Sequence, residues 1–399
     1  MIAESDGNNG TASLPSVSDG ADVGRCALCV LPRTTRAVSF SEDGICNCCL
    51  AARTYGDSGA EQHEDAERLE KIIEKIRARG RGRPYDCVVG LSGGRDSSYL
   101  AYLLTHKHGL RCLAATYLTP FSPATTEDNV QRTVQALNIP RVEMRISHDL
   151  HLKVARECLL AWRRYPLPAV ASLACAPCKL INREIFRIAK QHGCRSIVSG
   201  ANKYETIQFL PAHLETGAHK RLGFTHQVRV ALSVLTKGAR LLLAHPVFLR
   251  RLPLFTRASI FYLQPHTAFL RVRYPNVYSV EYFYHAPWNE SECIETIQSK
   301  LGWQLPPGCS TTWRADCDFA EMKEYMFHRM MGTTYTDALL SNMIRAGAIT
   351  RQEALLRLEA MGGLSWTRIE RAMDILGLPL NLLENAPSDY MRQPQTPPG

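Results

Sequence analysis

The segment Ser92–Ser98 reads Ser-Gly-Gly-Arg-Asp-Ser-Ser and combines hydroxyl groups, glycines and a carboxylate. Glycines let a backbone approach a ligand closely, and the first amides of a helix have no partner inside it. Such amides at a helix N-terminus bind anions. The segment is not a Walker A loop, which needs Lys-Ser/Thr after its last glycine, nor Gly-x-Gly-x-x-Gly. It therefore predicts an anion-binding loop of another type.

Two Cys-x2-Cys pairs, Cys26/Cys29 and Cys46/Cys49, lie near the start of the sequence. Their spacing is typical of a tetrahedral zinc ion held by four thiolates. Four protein ligands leave no open coordination position, so we expect a structural role. Cys48 lies inside the second pair and is either a bystander or a replacement for one of its neighbours.

Cys175 and Cys178 form a third pair, directly before a predicted helix from Lys179 to His192. The helix dipole stabilises thiolates at this end. The pair therefore suits metal binding, redox chemistry or sulfur carriage. The alternative is two buried cysteines without chemical function.

Strands and helices alternate around these residues, which predicts an α/β fold with a doubly wound parallel sheet and ligands at the carboxyl ends of its strands. A buried strand precedes Ser92, and the helix after the loop ends before Gly109. The other predicted strands are Arg111–Thr116, Val142–Ile146 and Arg195–Ser199, and the other predicted helices are Gln62–Ala78, Glu127–Leu137 and His151–Trp162. Thr116 and Gly200, at the ends of two strands, are candidate nucleotide contacts.

The chain has 399 residues and a formal net charge of +9, which favours anionic ligands. From Thr216 to Val280 it contains no Asp or Glu but many arginines, so this segment accounts for the net charge. The segment is either a groove for phosphate-bearing ligands or a helical insertion with solvated arginines. With no signal peptide and no apolar run of membrane length, we expect a cytoplasmic protein with reduced cysteines.

The C-terminal part is predicted to be helical, because Asp318 with Glu321 and Thr350 with Glu353 have capping-box spacing. The expected domains are a disordered 1–22, a zinc module 23–55, a connecting helix 56–83, an α/β domain 84–300 that carries the predicted anion-binding loop and a basic insertion 216–280, a helical region 301–384 and a disordered tail 385–399. Before these helices, Arg314 and Asp316 either pair with each other or reach back to the active site.

Ser-Gly-Gly-x-Asp-Ser after a strand resembles the pyrophosphate loop of the PP-loop ATPases, which cleave ATP to AMP and pyrophosphate. The resemblance implies phosphate contacts by Ser92, Gly93, Gly94, Ser97 and Ser98 and support of Mg²⁺ by Asp96. Arg95 is also a candidate nucleotide contact, at a position at which that family varies. Gly200-x-Asn202 resembles the second nucleotide-side loop of these enzymes, and makes Asn202 and Glu205 candidates for orienting substrate or Mg²⁺.

A narrower resemblance is to the N-acetyl sugar amidotransferases of surface-polysaccharide biosynthesis. It is carried by the segments 26–32, 40–49, 175–178, 301–303 and 347–355. It implies that ATP adenylates the acetamido oxygen of a sugar and that ammonia then displaces AMP. The chain has neither a cysteine at its start nor a Gly-x-Cys-x-Gly elbow, so we expect a separate glutaminase subunit to supply ammonia.

The sequence is also similar to zinc-containing tRNA thiolases, in which two such cysteines and a third hold an iron–sulfur cluster. Cys175, Cys178 and Cys317 would then hold a 4Fe–4S cluster, with Cys309 as another candidate for the third ligand. The acceptor would be tRNA or a small metabolite. A third hypothesis is a zinc-dependent interaction protein without enzymatic activity, against which the intact Ser92–Ser98 loop argues.

Overall fold

Five parallel β-strands form a sheet with the spatial order β3-β2-β1-β4-β5. The strands are β1 (Cys87–Gly90), β2 (Cys112–Thr116), β3 (Arg141–Glu143), β4 (Ser196–Ser199) and β5 (Tyr278–Glu281). The order runs outward from β1 in both directions, so the topological switch lies between β1 and β4. Ligands of such sheets bind at the carboxyl ends of the strands beside the switch. The predicted doubly wound parallel sheet is confirmed.

The computed structural model describes residues 24–36, 38–55, 61–164, 166–205 and 268–383. The predicted disorder of 1–22 and 385–399 lies outside these residues, as does most of the basic segment 216–280. The last part of the basic segment is described and contributes most of β5, a strand that the sequence analysis did not identify.

The α-helices of the described residues flank the sheet and form a C-terminal helical region. They are α1 (Asn47–Tyr55), α2 (Glu61–Gly80), α3 (Arg95–Tyr102), α4 (Ala124–Leu137), α5 (His148–Arg164), α6 (Pro168–Leu173), α7 (Leu180–Gln191), α8 (Ala268–Arg273), α9 (Glu290–Leu301), α10 (Phe319–Met331), α11 (Tyr335–Arg345), α12 (Arg351–Met361) and α13 (Trp366–Leu376). None of the helices in the described ranges is long and apolar enough to cross a membrane.

Successive residues of β1 face opposite sides of the sheet, as the pleat of a strand requires. Val88 belongs to a buried cluster with Ile185 and Ile188 of α7. Val89 belongs to another, with Leu100 of α3 and Ile76 of α2. Both faces of the sheet are therefore covered by helices, which explains why the strand is apolar at every position rather than alternating.

The capping prediction is correct at Thr350 and wrong at Asp318. Thr350 and Glu353 form a capping box at the start of α12. Asp318 makes no side-chain cap at α10, because its carboxylate accepts hydrogen bonds from Arg368 Nε at 3.0 Å and Arg371 Nε at 2.9 Å. Two guanidinium partners hold this buried carboxylate more strongly than a neutral backbone amide can.

Candidate nucleotide site and cysteine cluster

The Ser92–Ser98 segment forms a loop after the carboxyl end of β1 that continues into the first turn of α3. Gly93 has a φ of +81°, and a Cβ there would lie 2.4 Å from the Thr126 carbonyl oxygen. Only glycine fits this position without a backbone shift. The Ser92 amide donates to Ser97 Oγ at 3.1 Å, and Ser97 Oγ donates to the Gly94 carbonyl at 3.0 Å. These bonds hold the loop in one conformation.

A cavity of about 310 Å³ opens above this loop. Its walls come from the loop itself, from Ala115 and Tyr117 at the end of β2, from Gly200 after β4, and from the segment 312–316. The cavity therefore lies at the carboxyl ends of β1, β2 and β4, beside the topological switch. This is the edge at which the sequence predicted a ligand.

Arg95 lines the cavity, but its guanidinium is bonded within the protein, which the sequence analysis did not predict. It is only 3% exposed, and its guanidinium lies 3.8 Å from the ring centre of Trp313 and 4.8 Å from that of Trp288. Its Nε donates to Asp96 Oδ1 at 2.7 Å, and its Nη1 donates to Glu290 Oε1 at 2.7 Å. Burial alone would lower the pKa of Arg95, but Asp96 and Glu290 offset that effect and raise it.

The Arg95 side chain also joins separate parts of the chain at the cavity. Its Nη1 donates to Thr312 Oγ1 at 2.9 Å, so it fixes the segment 312–316 against the loop. On the other side of the loop, Trp303 Nε1 donates to the Gly93 carbonyl at 2.9 Å. No sequence spacing reveals these contacts, since the partners lie some two hundred residues after the loop.

Two carboxylates lie at the loop. Asp96 lines the cavity, and both of its oxygens accept hydrogen bonds from Arg95, which fixes its orientation. Asp316 also lines the cavity and lies directly beside the loop, where its Oδ2 would be 2.9 Å from a Cβ placed on Gly94. Carboxylate oxygens are suitable Mg²⁺ ligands. The donor set thus fits Mg²⁺, with Asp316 added to the predicted Asp96.

The loop after β4 carries the other predicted site residues. Gly200 lines the cavity, and a Cβ on it would lie 3.3 Å from the Asp96 carbonyl oxygen. Asn202 is buried and closes a turn by accepting from the Tyr204 amide at 3.0 Å. Glu205 lines the cavity. Thr116 is buried beside the cavity-lining Ala115 rather than lining the cavity itself.

Arg314 and Asp316 reach back to the cavity rather than pairing with each other, so the second of the two predicted arrangements is present. Arg314 Nη2 lies 2.9 Å from Glu205 Oε2. Arg314 also has a φ of +47°, an uncommon conformation for a residue with a side chain. Backbone strain of this kind is concentrated at functional sites.

A second cavity of about 1290 Å³ lies against the C-terminal helices. It shares Glu205, Trp313 and Arg314 with the nucleotide-loop cavity. The ion pair of Arg314 with Glu205 therefore lies where the two cavities meet. Tyr335 and Trp366 add aromatic surface to the second cavity.

Cys26, Cys29, Cys46 and Cys49 form a buried cluster, with all four sulfurs within 4.8 Å of one another. The Sγ atoms of Cys26 and Cys49 are 4.0 Å apart and those of Cys29 and Cys46 are 3.7 Å apart. A tetrahedron with Zn–S bonds of about 2.3 Å has edges of about 3.8 Å. The cluster therefore fits a zinc ion, and Cys48 lies outside it.

Cys175, Cys178 and Cys317 lie close enough to one another for their charges to interact, and Cys178 and Cys317 also lie near Tyr117, which follows β2. Burial, followed by the charges of Cys175 and Cys317, raises the pKa of the Cys178 thiol. Cys178 Sγ is 3.7 Å from His151 Nε2, and Thr119 Oγ1 donates to Cys317 Sγ at 3.6 Å. Within the described ranges, these three do not form a group with all ligand atoms inside 4.8 Å, as the four N-terminal cysteines do.

No family model matches the chain. An uncharacterized protein of Methanocaldococcus jannaschii is 25% identical over 183 residues, which cover 44% of this chain and 58% of that protein. The chain thus spans less than two thirds of the curated relative it matches. The structure of NMN synthetase from Francisella tularensis is similar at 15% identity and a TM-score of 0.35, covering 79% of this chain and 97% of that one.

Proposed function

We propose that the protein is a PP-loop ATP pyrophosphatase that acts as an amidotransferase. The observation that carries the proposal is the Ser92–Ser98 loop at the topological switch. It brings the hydroxyl groups of Ser92 and Ser97 and the carboxylate of Asp96 to the cavity, which Asp316 also lines beside Gly94. This arrangement suits the β- and γ-phosphates of ATP with Mg²⁺.

In the proposed reaction, the carbonyl oxygen of an acceptor amide attacks the α-phosphorus of ATP. The new O–P bond replaces the bond to pyrophosphate, which leaves. Ammonia then attacks the activated carbon, and AMP departs with the former amide oxygen, so that an N-acetyl group becomes an acetamidino group. Adenylation is needed because an amide oxygen is otherwise a poor leaving group. Holding both reactants in register lowers the entropic part of the barrier.

The chain's own residues position the reactants. The Gly93 conformation and the Ser97 hydroxyl hold the loop in the conformation that would receive phosphate. Arg95 fixes the orientation of the Asp96 carboxylate. We assign the sugar-type acceptor to the second cavity, because an acceptor bound there would lie next to the proposed nucleotide across the shared wall of Glu205, Trp313 and Arg314. Aromatic faces such as Tyr335 and Trp366 suit a sugar ring. A separate glutaminase subunit would supply the ammonia.

The test is incubation of the purified protein with ATP, Mg²⁺, ammonium and a panel of nucleotide-linked N-acetyl sugars, with AMP and pyrophosphate measured. Acceptor-dependent release of both supports the proposal. Asp96→Asn keeps the side chain's size and should abolish turnover, whereas Glu67→Gln, at an exposed position, should retain it. Release of ADP and orthophosphate would show that the mechanism is wrong.

Sulfur transfer is a second candidate, favoured by the convergence of Cys175, Cys178 and Cys317 beside Tyr117, which lines the nucleotide cavity. Ligands of a 4Fe–4S cluster bind different irons, so they lie further apart than ligands of one metal ion. The acceptor would then be tRNA or a small metabolite. Anaerobic purification with iron and sulfide analysis separates the two functions. Turnover with sulfide but not with ammonium would favour sulfur transfer.

A further inference from the structure

Helix α11 contacts both the cysteine cluster and the nucleotide site. At its C-terminal end, Arg345 Nη1 lies 3.6 Å from Cys29 Sγ and 3.7 Å from Cys49 Sγ. One turn earlier, Asn342 Nδ2 donates to the Tyr204 carbonyl at 2.8 Å. Tyr204 belongs to the turn that carries Glu205 to the cavity. Two distant parts of the protein are therefore linked through one helical turn.

The two residues of α11 also contact each other. Arg345 Nη2 donates to Asn342 Oδ1 at 2.5 Å. A guanidinium has only donors, so the amide oxygen must face it, and the amide nitrogen must then face the Tyr204 carbonyl. Asn342 and Tyr204 are 8% and 7% exposed, so water cannot readily replace this bond. Arg345 thereby sets the orientation of the amide that holds the turn.

The cluster is a suitable partner for Arg345 when it holds zinc. Four thiolates around a divalent ion carry a net charge of two minus, and a guanidinium beside two of the sulfurs compensates part of it. Groups that contact metal ligands in this way fix the ligands and raise metal affinity. A cluster that holds zinc therefore fixes Arg345. When the zinc is removed, the sulfurs of Cys29 and Cys49 are no longer fixed, and Arg345 loses its defined contacts.

We propose that Arg345 is a positioning residue that couples the metal centre to the nucleotide site. The path runs from the sulfurs of Cys29 and Cys49 through Arg345 and Asn342 to the Tyr204 carbonyl. The metal thus stabilises the turn Lys203–Glu205 as well as the N-terminal module. This inference rests on zinc at the cluster and is independent of the reaction that the protein catalyses.

The experiment measures hydrogen exchange of peptides covering the turn Lys203–Glu205 in the full, zinc-loaded chain, together with the rate of zinc release to a chelator. Asn342→Asp keeps an acceptor for Arg345 but loses the donor to Tyr204. It should speed exchange at the turn by about three- to tenfold, the factor for one lost hydrogen bond, while zinc release stays within about twofold of wild type.

Arg345→Met should affect both measurements. Zinc release should become about ten- to a hundredfold faster, the usual effect of losing a group that supports metal ligands, and exchange at the turn should rise as well. Thr336→Ala is the matched control. Thr336 lies on the same helix, and its Oγ1 donates to Glu324 Oε1 at 3.3 Å. This variant should leave zinc release and exchange at the turn Lys203–Glu205 at the wild-type rates.

Unchanged exchange at the turn in Arg345→Met, or in wild-type protein stripped of zinc, would overturn the proposal. If Arg345→Met does not fold, Asn342→Asp and zinc-stripped wild type still decide the question. Binding of a non-hydrolysable ATP analogue is measured in parallel. Failure of the wild type to bind it would refute the proposed function while the exchange result stands by itself.

Discussion

Replacing Arg95 tests whether a buried cation organises the nucleotide site. Arg95→Met keeps an apolar stem between Trp288 and Trp313 but leaves Asp96 and Glu290 without the guanidinium. Removing one partner of a buried ion pair costs about 3–5 kcal/mol. The lower end of this range applies here, because the side chains of Asp96 and Glu290 remain 15% and 12% exposed to solvent. Loss of cation–π contact with two rings adds about 1 kcal/mol, so we expect the free energy of unfolding to fall by about 4 kcal/mol.

The assay is urea unfolding followed by tryptophan fluorescence, with two comparison variants. Arg95→Lys keeps the charge but loses the fork that contacts Asp96, Glu290 and Thr312 together, and should cost about 1–2 kcal/mol. Lys71→Met breaks the exposed pair with Glu67 and should leave the free energy of unfolding close to the wild-type value. A loss below about 1 kcal/mol in Arg95→Met, equal to that of the exposed control, would refute the reasoning.

Three other perturbations have defined outcomes. Cys26→Ser should lose the bound zinc and unfold the N-terminal module, since structural zinc contributes roughly 10 kcal/mol or more of binding free energy in small domains. Cys48→Ser should retain the zinc. Metal analysis and thermal unfolding of the two variants measure these outcomes. Gly93→Ala should abolish binding of an ATP analogue because of the clash with the Thr126 carbonyl, whereas Gly82→Ala, with nothing within 4 Å of the new Cβ, should bind it. Burial lowers the pKa of His151 to about 4, below the value of about 6.5 expected when unfolded. Between these two values the unfolded chain binds more protons than the folded one. The contribution of neutral His151 to the free energy of unfolding should therefore be fully present above pH 6.5 and fall by about 3 kcal/mol towards pH 4. His151→Gln should lack this slope, and equal slopes in the two proteins would contradict the assignment.

The sequence predicted those parts of the site that depend on local patterns. The Ser92–Ser98 loop, the four clustered cysteines and the parallel sheet are signalled by glycines, Cys-x2-Cys spacing and apolar runs. Strand β5 was missed because it is short and overlaps the end of the acid-free segment 216–280, which the sequence analysis treated as one unit. Arg95 was also undervalued, since its importance comes from Trp288 and Trp313, which only the tertiary fold brings to it.

The capping error at Asp318 has the same origin. The spacing of Asp318 and Glu321 is that of a helix start, and α10 does begin there. The carboxylate is nevertheless taken by Arg368 and Arg371 of a helix about fifty residues later. A local pattern identifies where a helix begins, but it does not reveal which distant cation competes for the capping group.

The docking of the zinc module on the last helices has a consequence for synthesis on the ribosome. Arg25 bonds to Asp337, 312 positions later, and Arg351 donates to the carbonyls of Cys26 and Cys29. At translation rates of about 5–20 residues per second, the module waits about 15–60 s for its binding surface to emerge. During that interval its thiols are open to solvent, so early zinc capture would protect them from oxidation. In truncated chains that lack α11 and α12, the surface of the zinc module that contacts these helices should stay exposed permanently.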